Sequence, residues 1–149
     1  MKAINLFFEN FFSYSSPYVH FLLRFTLGIS FFLHGYTKIP ISQNFIGWLD
    51  SIGVIYAELT SYLIAWVEML SGVGIIIGGL LVKTLPIFSN FLTRFSSLAI
   101  CIIMIGALTL AHSDWSIFIG ERGKVLFSSE QLFLLTLGVY FFILGNNSE

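Results

Sequence analysis

Residues 18–38 read YVHFLLRFTLGISFFLHGYTK, a stretch long and apolar enough to cross a membrane that nevertheless carries Arg24 in its first third and His34 and Lys38 near its end. An ion in hydrocarbon costs about 3 kcal/mol on insertion scales, so it persists only where something compensates it. The candidate partner is Glu68, inside the second apolar stretch at 59–82. The chain is therefore read as a container for Arg24, His34, Glu68 and His112.

Composition supports a membrane setting. Hydrophobic residues make up 56% of the 149 and charged residues 10%, against roughly 25% charged in soluble domains. One domain of this length cannot bury such an excess internally. A net charge of −1 without a basic run excludes a nucleic-acid surface. The single cysteine, Cys101, lies in an apolar run and reads as a packing residue, with no CxxC pair or disulfide framework.

Taken in order, residues 1–16 place Ile4, Phe7, Phe8, Phe11 and Phe12 at helical spacing opposite Asn5, Glu9 and Asn10. This pattern predicts a short helix in the headgroup zone rather than a secretory signal. A first span is expected at 18–36, where Arg24, Gly28, Phe31, Gly35 and Lys38 share one stripe. Pro40 ends it, and the amphipathic segment NFIGWLDSIGV follows, with Trp48 as an interfacial anchor. The second span, 59–82, carries Glu68, Gly72, Ile75 and Gly79 on one stripe and Gly74 and Gly78 as a small-residue pair. A loop is expected at 83–94, a third span at 95–111 closed by His112, a polar loop, and a fourth span at 131–144. The fold class is thus all-α: a four-transmembrane-helix bundle (17–145) with an N-terminal interfacial segment (1–16) and an amphipathic piece between the first two spans. Four spans put both termini and the 83–94 loop on one side; the basic residues divide evenly, and the termini are assigned to the cytoplasm of a multi-pass inner-membrane protein.

At ~1.5 Å of rise per residue, Arg24 lies roughly 9 Å in from the terminal side and Glu68 about 14 Å in from the other. Those depths predict an Arg24–Glu68 ion pair. His34 and His112 end the first and third spans on the far side, level with Lys38 and Glu58, which gives a polar pocket with Glu68 at its floor and Lys38 and Glu58 at its mouth. An imidazole beside a carboxylate suits proton exchange or hydrogen bonding to a quinone. The same residues also suit a structural clamp and interfacial hydrogen bonding. Two histidines could ligate a haem axially, but nothing else in the sequence supports that, and no metal site is expected.

At these positions the sequence resembles the DoxX family of small membrane proteins. The matching features are Arg24 with Gly28, His34-Gly35-Tyr36-Thr37-Lys38, FIGWLDSIGV, Glu58, AWVEMLSGVGIIIGGL around Glu68, His112, and Gly120-Glu121. The resemblance spans about 18–145. It implies a four-helix transmembrane bundle, and relatives that include a subunit of thiosulfate:quinone oxidoreductase and proteins proposed to join membrane oxidoreductase complexes. Two functions stay open: a component of a membrane oxidoreductase system that meets quinone in the pocket (catalytic His34, Glu68 and His112), with a membrane or peripheral redox partner supplying electrons; or a non-catalytic scaffold, assembly factor or small-solute carrier. Either reading admits a homo-oligomer in the bilayer.

Overall fold

A computed structural model describes residues 2–13, 16–111, 115–121 and 124–146. Its elements are α1 (Lys2–Ser13), α2 (Ser16–Tyr36), α3 (Gln43–Ser51), α4 (Ala57–Leu80), α5 (Pro86–Gly106, continued by a π turn at Ala107–Ala111) and α6 (Glu130–Leu144). A short turn at Leu126–Ser128 precedes α6. Among the described residues the extended pairing is confined to a single bridge between Ser116 and Val125.

The helix ends follow local chemistry. The Ser42 hydroxyl accepts from the Phe45 amide to start α3, and that of Ser129 accepts from the Leu132 amide to start α6. Gly145, at φ +64, stops α6. Pro86 opens α5, where its missing N–H would have had no partner in any case. This last start corrects the expected loop at 83–94: α5 begins nine residues before 95, because Ser89 and Thr93 turn inward and are buried against α4 rather than wetted by a loop. Their polarity gave a false loop signal.

α2 packs along α4, α4 along α5, α5 along α6, and α6 returns to touch α2. Small residues set the two tightest seams. A Cβ at Gly28 would fall 2.7 Å from the Gly72 carbonyl oxygen, and one at Gly72 would overlap the Gly28 carbonyl. On the other side of α4, Ser96 fills the space over Gly74 and Thr93 that over Gly78. Between the seams lies the core of Leu27, Phe31, Ile75, Ile100, Met104, Leu134 and Phe141.

The outer surface is equally apolar. Leu63, Leu70, Phe91, Phe95, Ile102, Phe133 and Ile143 all stand more than half exposed, an arrangement that suits lipid rather than water. α4 and the helix Pro86–Ala111 are each long and apolar enough to cross a membrane, and α6 is a shorter apolar helix of 15 residues. α2 has the length, 21 residues, with Arg24 turned inward. The chain is a membrane protein. α1 carries Phe7 over Phe11 and Phe8 over Phe12, ring centroids 5.9 Å apart in both pairs, and all four rings are at least half exposed.

Because the Gly28–Gly72 contact is backbone against backbone, Gly72→Ala should lower the melting temperature in detergent, with an overpacking penalty of ~1–3 kcal/mol. Gly47 in α3 has nothing within 4 Å of an added Cβ, so Gly47→Ala should leave stability unchanged or raise it by up to ~1 kcal/mol. Equal melting temperatures for Gly72→Ala and wild type would mean that this seam is not formed.

Candidate functional site

The antiparallel register of α2 on α4 decides which polar residues meet. With Gly28 against Gly72 and Gly35 against Ala65, Arg24 is level with Ile76, and Glu68 with Phe32. Arg24 and Glu68 are therefore separated by eight residues, about 12 Å along the axis. The expected Arg24–Glu68 ion pair does not form. The depth estimate failed because it measured each span from the edge of its apolar run, whereas the glycine contacts shift the helices by a further turn.

Arg24 instead occupies a site near the chain termini. Only 1% exposed, it donates from Nη1 to Thr93 Oγ1 (2.7 Å) and the Ile75 carbonyl (3.2 Å), and from Nη2 to Asn146 Oδ1 (2.8 Å) and the Gly145 carbonyl (3.2 Å). Its guanidinium carbon stands 4.6 Å from the centre of the Phe141 ring. The stem lies across Gly79, where a Cβ would overlap it. Asn146 is held in turn by Ser89 and Asn90. The guanidinium thus ties α2, α4, α5 and the end of α6 together through neutral acceptors.

At the other end of the same helices, Lys38 Nζ contacts Glu68 Oε2 at 2.5 Å and donates to the His34 carbonyl at 3.1 Å. Glu68 is 2% exposed. Lys38 lies beyond the end of α2, and its stem folds back so that the ammonium sits inside, against the carboxylate. Its side chain remains 27% exposed, so Lys38 reaches from the expected mouth side to the buried carboxylate of Glu68. His34 Nε2 lies 3.1 Å from Glu130 Oε1, which also accepts from Ser30 Oγ at 3.2 Å. Glu130, which opens α6, went unnoticed in the sequence because it reads as a helix-start residue; its distance of 96 positions from His34 leaves no local signal.

A cavity of about 410 Å³ opens beside these groups. His34, Lys38, Glu68 and Gln131 make its polar end; Phe45, Trp48 and Leu49 of α3, Ile64 of α4, and Ile102, Ile103, Met104, Gly106, Ala107, Leu110 and Ala111 of α5 and its π turn make its apolar walls. Glu58 is not among its lining. It borders a separate open groove with Gln43, Asp50, Tyr56 and Tyr62, which corrects its assignment to the mouth of this pocket. His112, expected to face His34, lies outside the described residues.

The chemistry available is specific. An ammonium has three protons; with two directed to Glu68 and the His34 carbonyl, Lys38 keeps one to donate. A carboxylate accepts, so Nε2 of His34 donates to Glu130, and in the neutral imidazole Nδ1 is then an acceptor. Gln131 offers both roles. The cavity therefore holds a donor and an acceptor at one end of an oily slot, a fit for a small ring bearing a carbonyl or hydroxyl.

The Lys38–Glu68 contact and the Arg24–Glu68 separation give a double-mutant test by unfolding in detergent. Lys38→Met and Glu68→Gln should be strongly non-additive, the single changes each leaving an uncompensated buried ion at up to ~3–5 kcal/mol. Arg24→Met and Glu68→Gln should add within ~0.5 kcal/mol, as distant sites do. Strong coupling of Arg24 to Glu68 would overturn the register described above.

Among known families, the DoxX family model matches residues 19–84, a stretch that covers most of α2 and all of α3 and α4 and contains Arg24, His34, Lys38, Glu58 and Glu68. This stretch is DoxX-family sequence. No curated protein and no solved structure matches the chain.

Proposed function

We propose that this DoxX-family membrane protein is a four-span component of a membrane oxidoreductase system that binds a quinone head in the cavity beside Lys38 and Glu68. The observation that carries the reading is the cavity itself, a ring-sized apolar slot ended by a cationic donor and an imidazole. A quinone carbonyl would take the remaining proton of Lys38 as a hydrogen bond, and a quinol hydroxyl would donate to His34 Nδ1. Glu68 holds the ammonium in place and keeps the pair neutral. Glu130, 59% exposed at its side chain, joins the imidazole to the aqueous side. The electrons would come from a membrane or peripheral partner subunit, and His112 would complete the polar end from α5.

In this reading α2, α4, α5 and α6 are the spans, residues 17–145 form the unit, and both termini face the cytoplasm of the inner membrane. α1 lies along that face, its phenyl rings in the acyl boundary. The alternative of a small-solute carrier is less well supported: the core of Leu27, Phe31, Ile75 and Phe141 and the Arg24 network fill the space between the cavity and the terminal side. A binding site with its entrances at one end is the better description. A pure scaffold would give no reason for a buried ion pair at the end of a cavity.

Trp48 in the cavity wall provides the test. With Trp66 and Trp115 replaced by Phe, a decyl benzoquinone should quench Trp48 saturably in nanodiscs. Lys38→Met should weaken binding ~10-fold or more, the value of a hydrogen bond from a charged donor, while circular dichroism stays unchanged. Linear, unsaturable quenching that is the same in wild type and Lys38→Met would refute the quinone site.

A further inference from the structure

The register of α4 on α5 shows what stands beside the Glu68 carboxylate on the lipid side. Ser96 lies over Gly74 and Thr93 over Gly78. Six residues further along this antiparallel pair, Glu68 comes level with Ile102. Ile102 is nine residues before the end of the helix Pro86–Ala111, about 13 Å in from that end, hence within the ~30 Å hydrocarbon layer. Both Ile102 and Leu110 line the cavity, yet they are 62% and 56% exposed on the outside of the protein. The half-buried Phe45 and Trp48 of α3, a helix that packs on α4, line the same cavity. Ile102 therefore borders the cavity and the lipid side at once at the depth of the ion pair, and Leu110 does so nearer the helix end.

We propose that the cavity is loaded sideways from the bilayer through a gap between α3 and α5, so that its occupant is a lipid-dissolved molecule with a polar ring and a long apolar tail, the tail leaving past Ile102 and Leu110. The proposal rests on the reading of the cavity as a quinone-head site and adds the route and the tail. With the ring against Lys38 and Glu68, a tail directed between α3 and α5 stays in hydrocarbon throughout and needs no transfer through water. A tail directed instead toward the Glu130 end would meet the aqueous boundary. That end serves water and ring-only molecules.

Two probes separate the route from the head site: a tailless methoxy-substituted benzoquinone and its decyl derivative, titrated against the full chain in nanodiscs. In Ile102→Trp the indole fills the gap. Affinity for the decyl quinone should fall ~10-fold or more while affinity for the tailless ring stays as in wild type. Ile105→Trp, at a half-exposed α5 position outside the cavity lining, should change neither. A decyl quinone carrying a diazirine at the tail end should label the α5 peptide around 102–110 in wild-type protein, a readout that needs no variant to fold. Unchanged decyl binding in Ile102→Trp, equal loss of both quinones there, or labelling of the 115–128 loop in place of α5 would each overturn the lateral route. Failure of wild type to bind either quinone would instead overturn the functional reading, and this inference with it.

Discussion

Gly28 and Gly72 meet backbone to backbone, and the rest of the polar architecture depends on that contact. It locks α2 against α4 in a register that carries Arg24 toward the chain termini and leaves Glu68 more than two turns away. One shift of a turn would bring opposite charges together and remove the reason for Lys38 to fold inward. Tight glycine seams of this kind are what membrane helices have in place of a hydrophobic drive between them. Here the seam also distributes charge: it divides one imagined pocket into two polar sites at opposite ends.

The two sites solve the burial of an ion differently. Lys38 and Glu68 neutralise each other directly, and the pair still leaves the ammonium a proton to offer. Arg24 has no acid among its partners; the ion pairs among the described residues are Lys38–Glu68, His34–Glu130 and Lys124–Glu121. Its compensation is dipolar. The Gly145 carbonyl belongs to the C-terminal end of α6, where the helix dipole is negative, and the Ile75 carbonyl, Thr93 and Asn146 complete the planar fork. With no carboxylate in contact among the described residues, Arg24 acts as a staple of four helices, whereas the Lys38 end has an open volume beside its charge.

Much of the framework was legible in the sequence. The stripes of Gly28 and Gly35 and of Gly74 and Gly78 announced close helix contacts, and NFIGWLDSIGV announced a short helix, now α3. Pairing was not legible, because periodicity gives the face of a helix but not its offset against a neighbour. Asn146 lies just past the expected fourth span, with nothing in the sequence to mark it as a partner of Arg24, yet its carboxamide oxygen is one. Lys38 read as a mouth residue from its place after α2, and its reach to Glu68 was not legible, since nothing in sequence tells which way a four-carbon stem will turn. Ser89 and Thr93 read as loop, although Ser89 Oγ donates to the Gly78 carbonyl and Thr93 sits over that glycine.

The cavity itself arises from what α5 lacks. Gly106, Ala107 and Ala111 present almost no side chain where a leucine would fill the space beside Lys38 and Glu68. Over Ala107–Ala111 the helix also widens into a π turn, a departure that recurs at functional positions. The Leu108 carbonyl in that turn accepts from the Trp115 indole at 3.3 Å, so the widened turn is supported from the following loop. A merely structural bundle gains by closing such a space, since close packing is what its stability draws on. Small residues and a distorted helix end placed against an ion pair instead preserve a volume whose polar end is already desolvated and oriented. For the proposed quinone, such a pre-arrangement would favour a ring able to accept from Lys38 over a water molecule, because the ring would also cover the apolar walls that water leaves unsatisfied.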